Sequence, residues 1–141
     1  MGLHNDIATQ IAAHTVGVAG IVSCSTTPLD SISGTPCGVV GPPKGTKPQP
    51  GSYEHLVLQY PLRIFVAARI DNAQVDQVAV NDFLDLFLTG FRANITLGGI
   101  VTEAEIVSWD TNRFYTVGLS DYQAIDFQIG IDLWRVASYT A

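Results

Sequence analysis

Two glutamates are the residues whose spacing most resembles a catalytic pair. Glu103 and Glu105 are two positions apart, so they share a face if their segment is a strand. Paired carboxylates perform acid–base chemistry when one of them is removed from water. Acids at this spacing on an exposed strand are more often solvated or directed at a partner, and we favour that interpretation.

The three histidines are the other residues that could bind a metal or move a proton. His4 and His14 are ten positions apart, which does not match the helical spacing that puts two side chains on one face. His55 lies at the edge of a loop, far from both in sequence. We expect all three to be solvated or to lie at interfaces, and we predict no catalytic residue, metal ligand or cofactor.

A glycine-rich segment around Lys44 has the composition of a phosphate-binding loop. Such a loop binds phosphate through successive backbone N–H groups, and Pro42 and Pro43 have none. No serine or threonine follows the lysine at the required position. The segment is therefore not a phosphate loop.

The elements that would position these residues can be read from hydrophobic spacing. Residues 3–14 predict a short amphipathic helix, and residues 21–25 and 37–40 predict short strands. Residues 41–53 follow as an exposed loop rich in proline and glycine, which contains both lysines of the chain. We expect this loop to be mobile in an isolated subunit and ordered in an assembly.

Residues 56–70 alternate between apolar and other side chains almost without interruption. A period of two predicts a strand with one buried face. Pro61 cannot donate a ladder hydrogen bond, so it predicts an edge, a bend or a bulge. We expect the strand to bend there or to extend beyond the main sheet.

Residues 75–91 have helical apolar spacing, with Gly90 at the position expected of a C-terminal cap. Residues 100–109 and 113–119 predict a hairpin joined by residues 110–112, and residues 124–136 predict a second long strand. The chain, residues 1–141, is thus predicted to be a single α+β domain. Its mostly antiparallel (mixed) β-sheet with long strands is flanked by an N-terminal helix and one central helix.

The composition limits the classes of protein to which the chain can belong. The 141 residues suit one domain, and 47% of them are hydrophobic, which excludes a disordered chain. A net charge of −6 argues against a dedicated nucleic-acid-binding protein. Only 14% of the residues are charged, whereas about 25% is typical of a soluble domain. The two cysteines are expected to be free thiols, and no segment predicts a signal peptide or a membrane span.

Charge is distributed unevenly along the chain. Residues 41–70 carry a net charge of +3, and residues 71–141 carry −7. A basic segment and an acidic remainder are typical of head-to-tail contacts between copies, or of contact with an acidic partner. An ordinary solvated loop remains an equal alternative. The residues predicted for such an interface are Lys44, Lys47, Pro48, Arg63 and Arg69.

The order of the elements and three segments resemble the small neck proteins of long-tailed bacteriophages, in particular the tail terminator (tail completion) family. The segments are residues 3–7, residues 60–66 leading into the 75–91 helix, and residues 125–131. The resemblance covers nearly the whole chain and lies in architecture, since there is no signature motif. The head–tail connector proteins of the neck are similar enough to be the alternative.

The resemblance implies a subunit of a hexameric ring without catalytic residues. Such a ring caps the tail-tube protein, stops elongation and offers a docking face to the head-side connector. It implies a place in the virion, with assembly in the host cytoplasm and no membrane partner. DNA passes through the ring without specific binding, and we expect Glu103, Glu105 and Asp126 to face that passage. Two interpretations from other classes stay open: a monomeric ligand-binding module with a pocket between the 75–91 helix and the sheet, and an enzyme of unrecognised type.

Overall fold

The fold is an α+β arrangement of two α-helices on a six-stranded mixed sheet, as the sequence predicts. In the computed structural model, residues 2–45, 53–68, 73–92 and 96–136 are described. The helices are α1 (Leu3–Thr15) and α2 (Ala73–Phe91). The strands are β1 (Ser23–Ser25), β2 (Cys37–Val40), β3 (Lys44–Gly45), β4 (Tyr53–Ala68), β5 (Glu103–Val117) and β6 (Ser120–Val136).

Three long antiparallel strands form the body of the sheet. The strand order is β1-β2-β4-β6-β5, and β3 pairs with β4 beside β2. Every pair is antiparallel except β1 with β2, which is parallel. This order puts the 15 residues of β5 at one edge of the sheet.

The main core lies between the helices and one face of the sheet, which we call the inner face. It contains Ile7 and Ile11 of α1 and three stacked phenylalanines of α2: Phe83, Phe87 and Phe91. The ring centres of Phe87 and Phe127 are 4.5 Å apart, so α2 packs directly on β6. The alternating apolar residues of β4 are buried here as predicted: Leu58, Tyr60, Leu62, Ile64 and Val66.

A smaller core covers part of the opposite face, which we call the outer face. Cys37, Phe65 and Ala124 are buried there beneath Leu29 and Ile32 of the loop that follows β1. Phe65 points away from the main core because it is one residue out of phase with Ile64. The outer face is therefore partly roofed by a loop instead of a helix.

Pro61 lies inside β4 and does not end it. The strand continues on both sides of this proline, and its carbonyl accepts a hydrogen bond from the Gly41 N–H at 2.8 Å. Pro61 stands at the junction between β2 and β3, and the neighbouring edge is interrupted there, so the missing N–H leaves no ladder bond unmade. The irregularity of β4 lies instead between Phe65 and Ala67.

Two local predictions are wrong. Residues 110–112 do not form a hairpin turn, because they lie within β5 at a register irregularity between Asp110 and Arg113; the turn comes later, between Val117 and Ser120. Gly90 is not a helix cap but lies inside α2, where a Cβ would come within 2.9 Å of the Val18 side chain. Its small size therefore serves packing and not chain reversal.

Two other segments differ in extent from their predictions. The first short strand begins at Ser23 instead of residue 21. Lys44 and Gly45, predicted as loop, form β3 because they pair with Gln59 and Leu58. The rest of the predicted loop, residues 46–52, lies outside the described residues.

Candidate functional site

His14 has a structural role between the two helices. Its Nε2–H donates a 2.7 Å hydrogen bond to the Phe91 carbonyl, which can only accept, and its ring lies 4.8 Å from the Phe91 ring. His14 thereby satisfies a carbonyl at the end of α2. His4 is exposed, and the side chain of His55 is outside the described residues.

The two cysteines are free and lie on opposite faces of the sheet. Cys24 packs against the main core, whereas Cys37 belongs to the smaller core of the outer face. Burial, with a smaller effect of Cys37, raises the pKa of the Cys24 thiol to about 12, and burial also raises the pKa of Cys37. Neither thiol is activated as a nucleophile, since activation requires a lowered pKa.

Within the described ranges, no three His, Cys, Asp or Glu side chains are grouped so that they could hold a metal ion. In the same ranges, no helix is long and apolar enough to span a membrane.

Arg63, Tyr115 and Asp126 form a connected polar cluster on the outer face. Arg63 Nε donates to Asp126 Oδ1 at 2.9 Å, and the Tyr115 hydroxyl donates to Asp126 Oδ2 at 2.6 Å. The guanidinium of Arg63 also lies over the Tyr115 ring, 3.6 Å from its centre. Three strands, β4, β5 and β6, thus each contribute one side chain.

Two further charges extend the cluster along β5. Arg113 Nε lies 2.9 Å from Asp110 Oδ2 and 3.9 Å from Asp126 Oδ2. Asp110 and Asp126 are direct cross-strand partners, so two like charges would oppose each other without the arginines. Arg63 and Arg113 supply two positive charges, which balance the two negative charges of Asp110 and Asp126.

Tyr115 is held in its neutral form by this environment. Burial raises the pKa of Tyr115, and the hydrogen bond to Asp126 and the charge of that carboxylate raise it further, against a lowering by the two arginines. A neutral hydroxyl keeps donating to Asp126. The polar groups of the cluster therefore satisfy one another, which is an arrangement suited to fixing geometry.

A groove of about 490 Å³ runs beside the cluster on the outer face. Its volume is in the range of small-molecule and peptide sites. Pro28, Leu29 and Tyr115 line it. Pro61, Arg63 and Gln128 also line it.

A pocket of about 300 Å³ lies between α2 and the sheet, where the sequence analysis placed one; Leu88 and Phe91 of α2 and Ile106 and Trp109 of β5 line it. Nearer the middle of α2 the contact with the sheet is closed, because the aromatic rings of Phe83, Phe87 and Phe127 fill it and are buried. The groove beside Arg63 is on the opposite face, because the outer face of the sheet is roofed by a loop that leaves space at its border.

The predicted interface residues separate into described and undescribed ones. Lys44 is exposed on β3, and Arg63 is part of the cluster. Lys47, Pro48 and Arg69 lie outside the described residues. The structure thus brings Arg63 to Asp126, a residue that the sequence analysis had assigned to a different surface.

The three acids predicted to face a passage share the outer face but differ in their surroundings. Glu103 and Glu105 are exposed on β5, and Glu103 stands opposite Asp132 of β6. Asp126 is compensated by Arg63, so its charge is partly neutralised within the subunit. Glu103 and Glu105 are therefore the stronger carriers of an acidic surface.

The edge strand β5 exposes large apolar side chains that the sequence analysis did not identify as a surface. Val107, Trp109 and Phe114 have about half of their surface exposed, at 48%, 47% and 47%. Tyr115 is the residue of the cluster that the sequence analysis did not identify. The available signal was its spacing, because Tyr115 is two positions from Arg113 and so lies on the same face of the strand.

No protein-family model matches the chain. The search of curated proteins also found no match.

Proposed function

We propose that this chain is a structural subunit of the neck of a long-tailed bacteriophage, a tail terminator that assembles into a ring, by resemblance a hexamer. The ring would cap the tail-tube protein, stop tail elongation and dock the head-side connector. The observation that carries the assembly part of this proposal is the edge strand β5 with its exposed Val107, Trp109 and Phe114. The choice of a tail terminator rests on the sequence resemblance.

An edge strand with exposed apolar side chains is suited to association. Unpaired backbone groups at a sheet edge can pair with another chain, and aromatic side chains supply most of the free energy at interface centres. The register irregularities of β5, between Ile106 and Ser108 and between Asp110 and Arg113, limit indiscriminate strand pairing. This combination favours a defined partner over open-ended aggregation.

The polar cluster supports a structural role in preference to an enzymatic one. Arg63, Tyr115 and Asp126 direct their polar atoms at one another, and the pKa of Tyr115 is raised, so its hydroxyl stays protonated near neutral pH and is not available as a base. In a ring, exposed Glu103 and Glu105 facing the passage would repel DNA and let it slide. The chain would then reside in the virion neck after assembly in the host cytoplasm.

The proposal is tested by oligomeric state and by tail morphology. We expect the wild-type chain to form rings in sedimentation or native mass spectrometry with tail-tube protein present, and Trp109→Ser to form them poorly. Leu86→Ser is the matched control, since Leu86 is 62% exposed and belongs to α2 and not to β5. A chain that stays monomeric with tail-tube protein contradicts the proposal.

Electron microscopy separates the terminator from the connector alternative. Tails assembled without this protein should be overlong if it is a terminator. Tails of normal length that fail to join heads would indicate a connector. The groove beside Arg63 favours, as a second candidate, a ligand-binding module, which predicts a stable monomer that binds a small molecule.

A further inference from the structure

Two side chains at the groove beside Arg63 have hydrogen-bond donors without a partner in the part of the chain that the structure describes. Arg63 Nε donates to Asp126 Oδ1, whereas neither Nη atom of Arg63 forms a hydrogen bond there. A guanidinium has five N–H groups, so four remain available. The side-chain amide of Gln128, which also lines the groove, is likewise unbonded within the described ranges and offers two more.

The carboxylate at the same border is already occupied. Asp126 Oδ1 accepts from Arg63 at 2.9 Å, and Oδ2 accepts from the Tyr115 hydroxyl at 2.6 Å. Arg113 Nε lies 3.9 Å from Oδ2 and adds a second positive charge beside it. The free polar groups at the groove are therefore mainly donors, and they select a ligand that supplies acceptors.

The donors of Arg63 are held in place before a ligand binds. The guanidinium carbon lies 3.6 Å from the centre of the Tyr115 ring, and the bond from Nε to Asp126 restricts rotation of the guanidinium. Donors that are fixed in advance favour binding, because less side-chain entropy is lost when the ligand arrives. A carboxylate suits them best, since its two oxygens match two parallel N–H groups of a guanidinium.

The remaining surface of the groove is largely apolar. Pro28, Leu29, Val39 and Pro61 line it, and its volume of about 490 Å³ accommodates a small organic molecule. Asp126 also lines the groove, and its negative charge repels a dianion such as phosphate more strongly than a monoanion. These features describe a ligand with one carboxylate and an apolar body.

We propose that the groove is a binding site for a small organic monocarboxylate. The carboxylate accepts hydrogen bonds from the Nη atoms of Arg63 and from the Gln128 amide, and the apolar body lies against Leu29, Val39 and Pro61. All of these residues belong to one subunit. The site therefore does not depend on ring formation, and its test is separate from that of the proposed function.

Calorimetric titration of the full chain with phenylacetate tests the site. Phenylacetamide keeps the apolar body of this probe without its charge, and acetate keeps the charge without the body. We expect saturable binding of phenylacetate, with an affinity at least about tenfold higher than that for either of the other two probes. Failure to saturate by ~10 mM phenylacetate overturns the proposal, and so does equal affinity for phenylacetate and phenylacetamide.

Variants of two arginines locate the site. Arg63→Gln should reduce the preference for phenylacetate over phenylacetamide about tenfold, whereas a merely structural disturbance would weaken both probes equally. Arg63→Lys keeps the positive charge beside Asp126 but lacks the planar fork, so it should reduce the same preference severalfold. This second variant decides the question if Arg63→Gln does not fold. An unchanged preference in a folded variant overturns the proposal.

Arg92→Gln is the matched control. Arg92 is an exposed arginine that lines the other pocket, the one between α2 and the sheet. We expect this variant to keep the affinity of the wild-type chain for phenylacetate. If the preference for the carboxylate is lost in Arg92→Gln and kept in Arg63→Gln, the ligand occupies the other pocket and the proposal is overturned.

Discussion

The guanidinium carbon of Arg63 lies 3.6 Å from the centre of the Tyr115 ring, and both side chains bind the same carboxylate, Asp126. Any two of these three residues are between 11 and 63 positions apart in the sequence. The register of the sheet brings them together. The cluster fixes β4, β5 and β6 relative to one another beside the groove.

Replacement of Asp126 should destabilise the chain more than loss of an isolated acid. Asp126→Asn removes the charge that compensates Arg63 and Arg113. We expect the free energy of unfolding to fall by about 1 kcal/mol, a modest value because the Arg63–Asp126 pair is partly exposed. Urea denaturation measures the change, and Asp82→Asn on the exposed side of α2 is the control. A loss no greater than that of the control contradicts the stabilising role of the cluster.

Stability should decrease in alkaline solution partly because of Tyr60. Its hydroxyl donates to the His4 carbonyl, and burial raises its pKa from 10.0 to about 12. The folded chain keeps a proton that the unfolded chain loses, so the free energy of unfolding falls as the pH rises from about 10 to about 12.

Tyr60→Phe isolates this effect. The variant should be about 1 kcal/mol less stable near neutral pH, since the hydrogen bond to His4 is lost. It should lose less stability than the wild type between about pH 10 and about pH 12, because no phenol at position 60 titrates. The contribution of Cys24 cancels in this comparison, since both chains contain it. Parallel pH profiles of the two chains would refute the assignment to Tyr60.

Gly38 should tolerate no larger side chain in the wild-type background. A Cβ at this position would come within 2.8 Å of Ile64 Cδ1 and 3.0 Å of Cys24 Sγ. Gly38→Ala should therefore cost about 1–3 kcal/mol through overpacking. Gly2→Ala, with nothing within 4 Å, is the control.

Ile64→Val removes the clashing methyl group and provides a second test at this position. The double variant Gly38→Ala/Ile64→Val should be more stable than the sum of the two single losses implies. Additive losses, measured by thermal or urea unfolding, would show that the close approach to Ile64 is not the cause.

The aromatic stack of α2 should carry much of the stability of the main core. Phe87 is fully buried and its ring centre is 4.5 Å from that of Phe127, so Phe87→Ala should cost about 3–5 kcal/mol. Leu86→Ala, one position away on the same helix but 62% exposed, should change stability by less than about 0.5 kcal/mol. Similar losses of stability at both positions would mean that α2 packs a different face against the core.

Much of the fold could be predicted because periodicity is a local property. The alternation along β4 and β6 and the helical spacing of α2 identify the buried face of each element without knowledge of its neighbours. Predictions from local sequence were wrong where a contact with another element determines the structure. Residues 110–112 look like a turn, but pairing with β6 keeps them within β5, and Gly90 looks like a cap, but Val18 packs against it.

The amino-acid sequence by itself determined the α+β class, the faces of the long elements and the small share of charge. Only the tertiary structure decided that Arg63 meets Asp126, that Tyr115 joins them, and that a groove opens beside them on the outer face. The physical reason is that side-chain contacts across a sheet depend on strand order and register. These arise from the summed burial of the whole chain and not from any one segment.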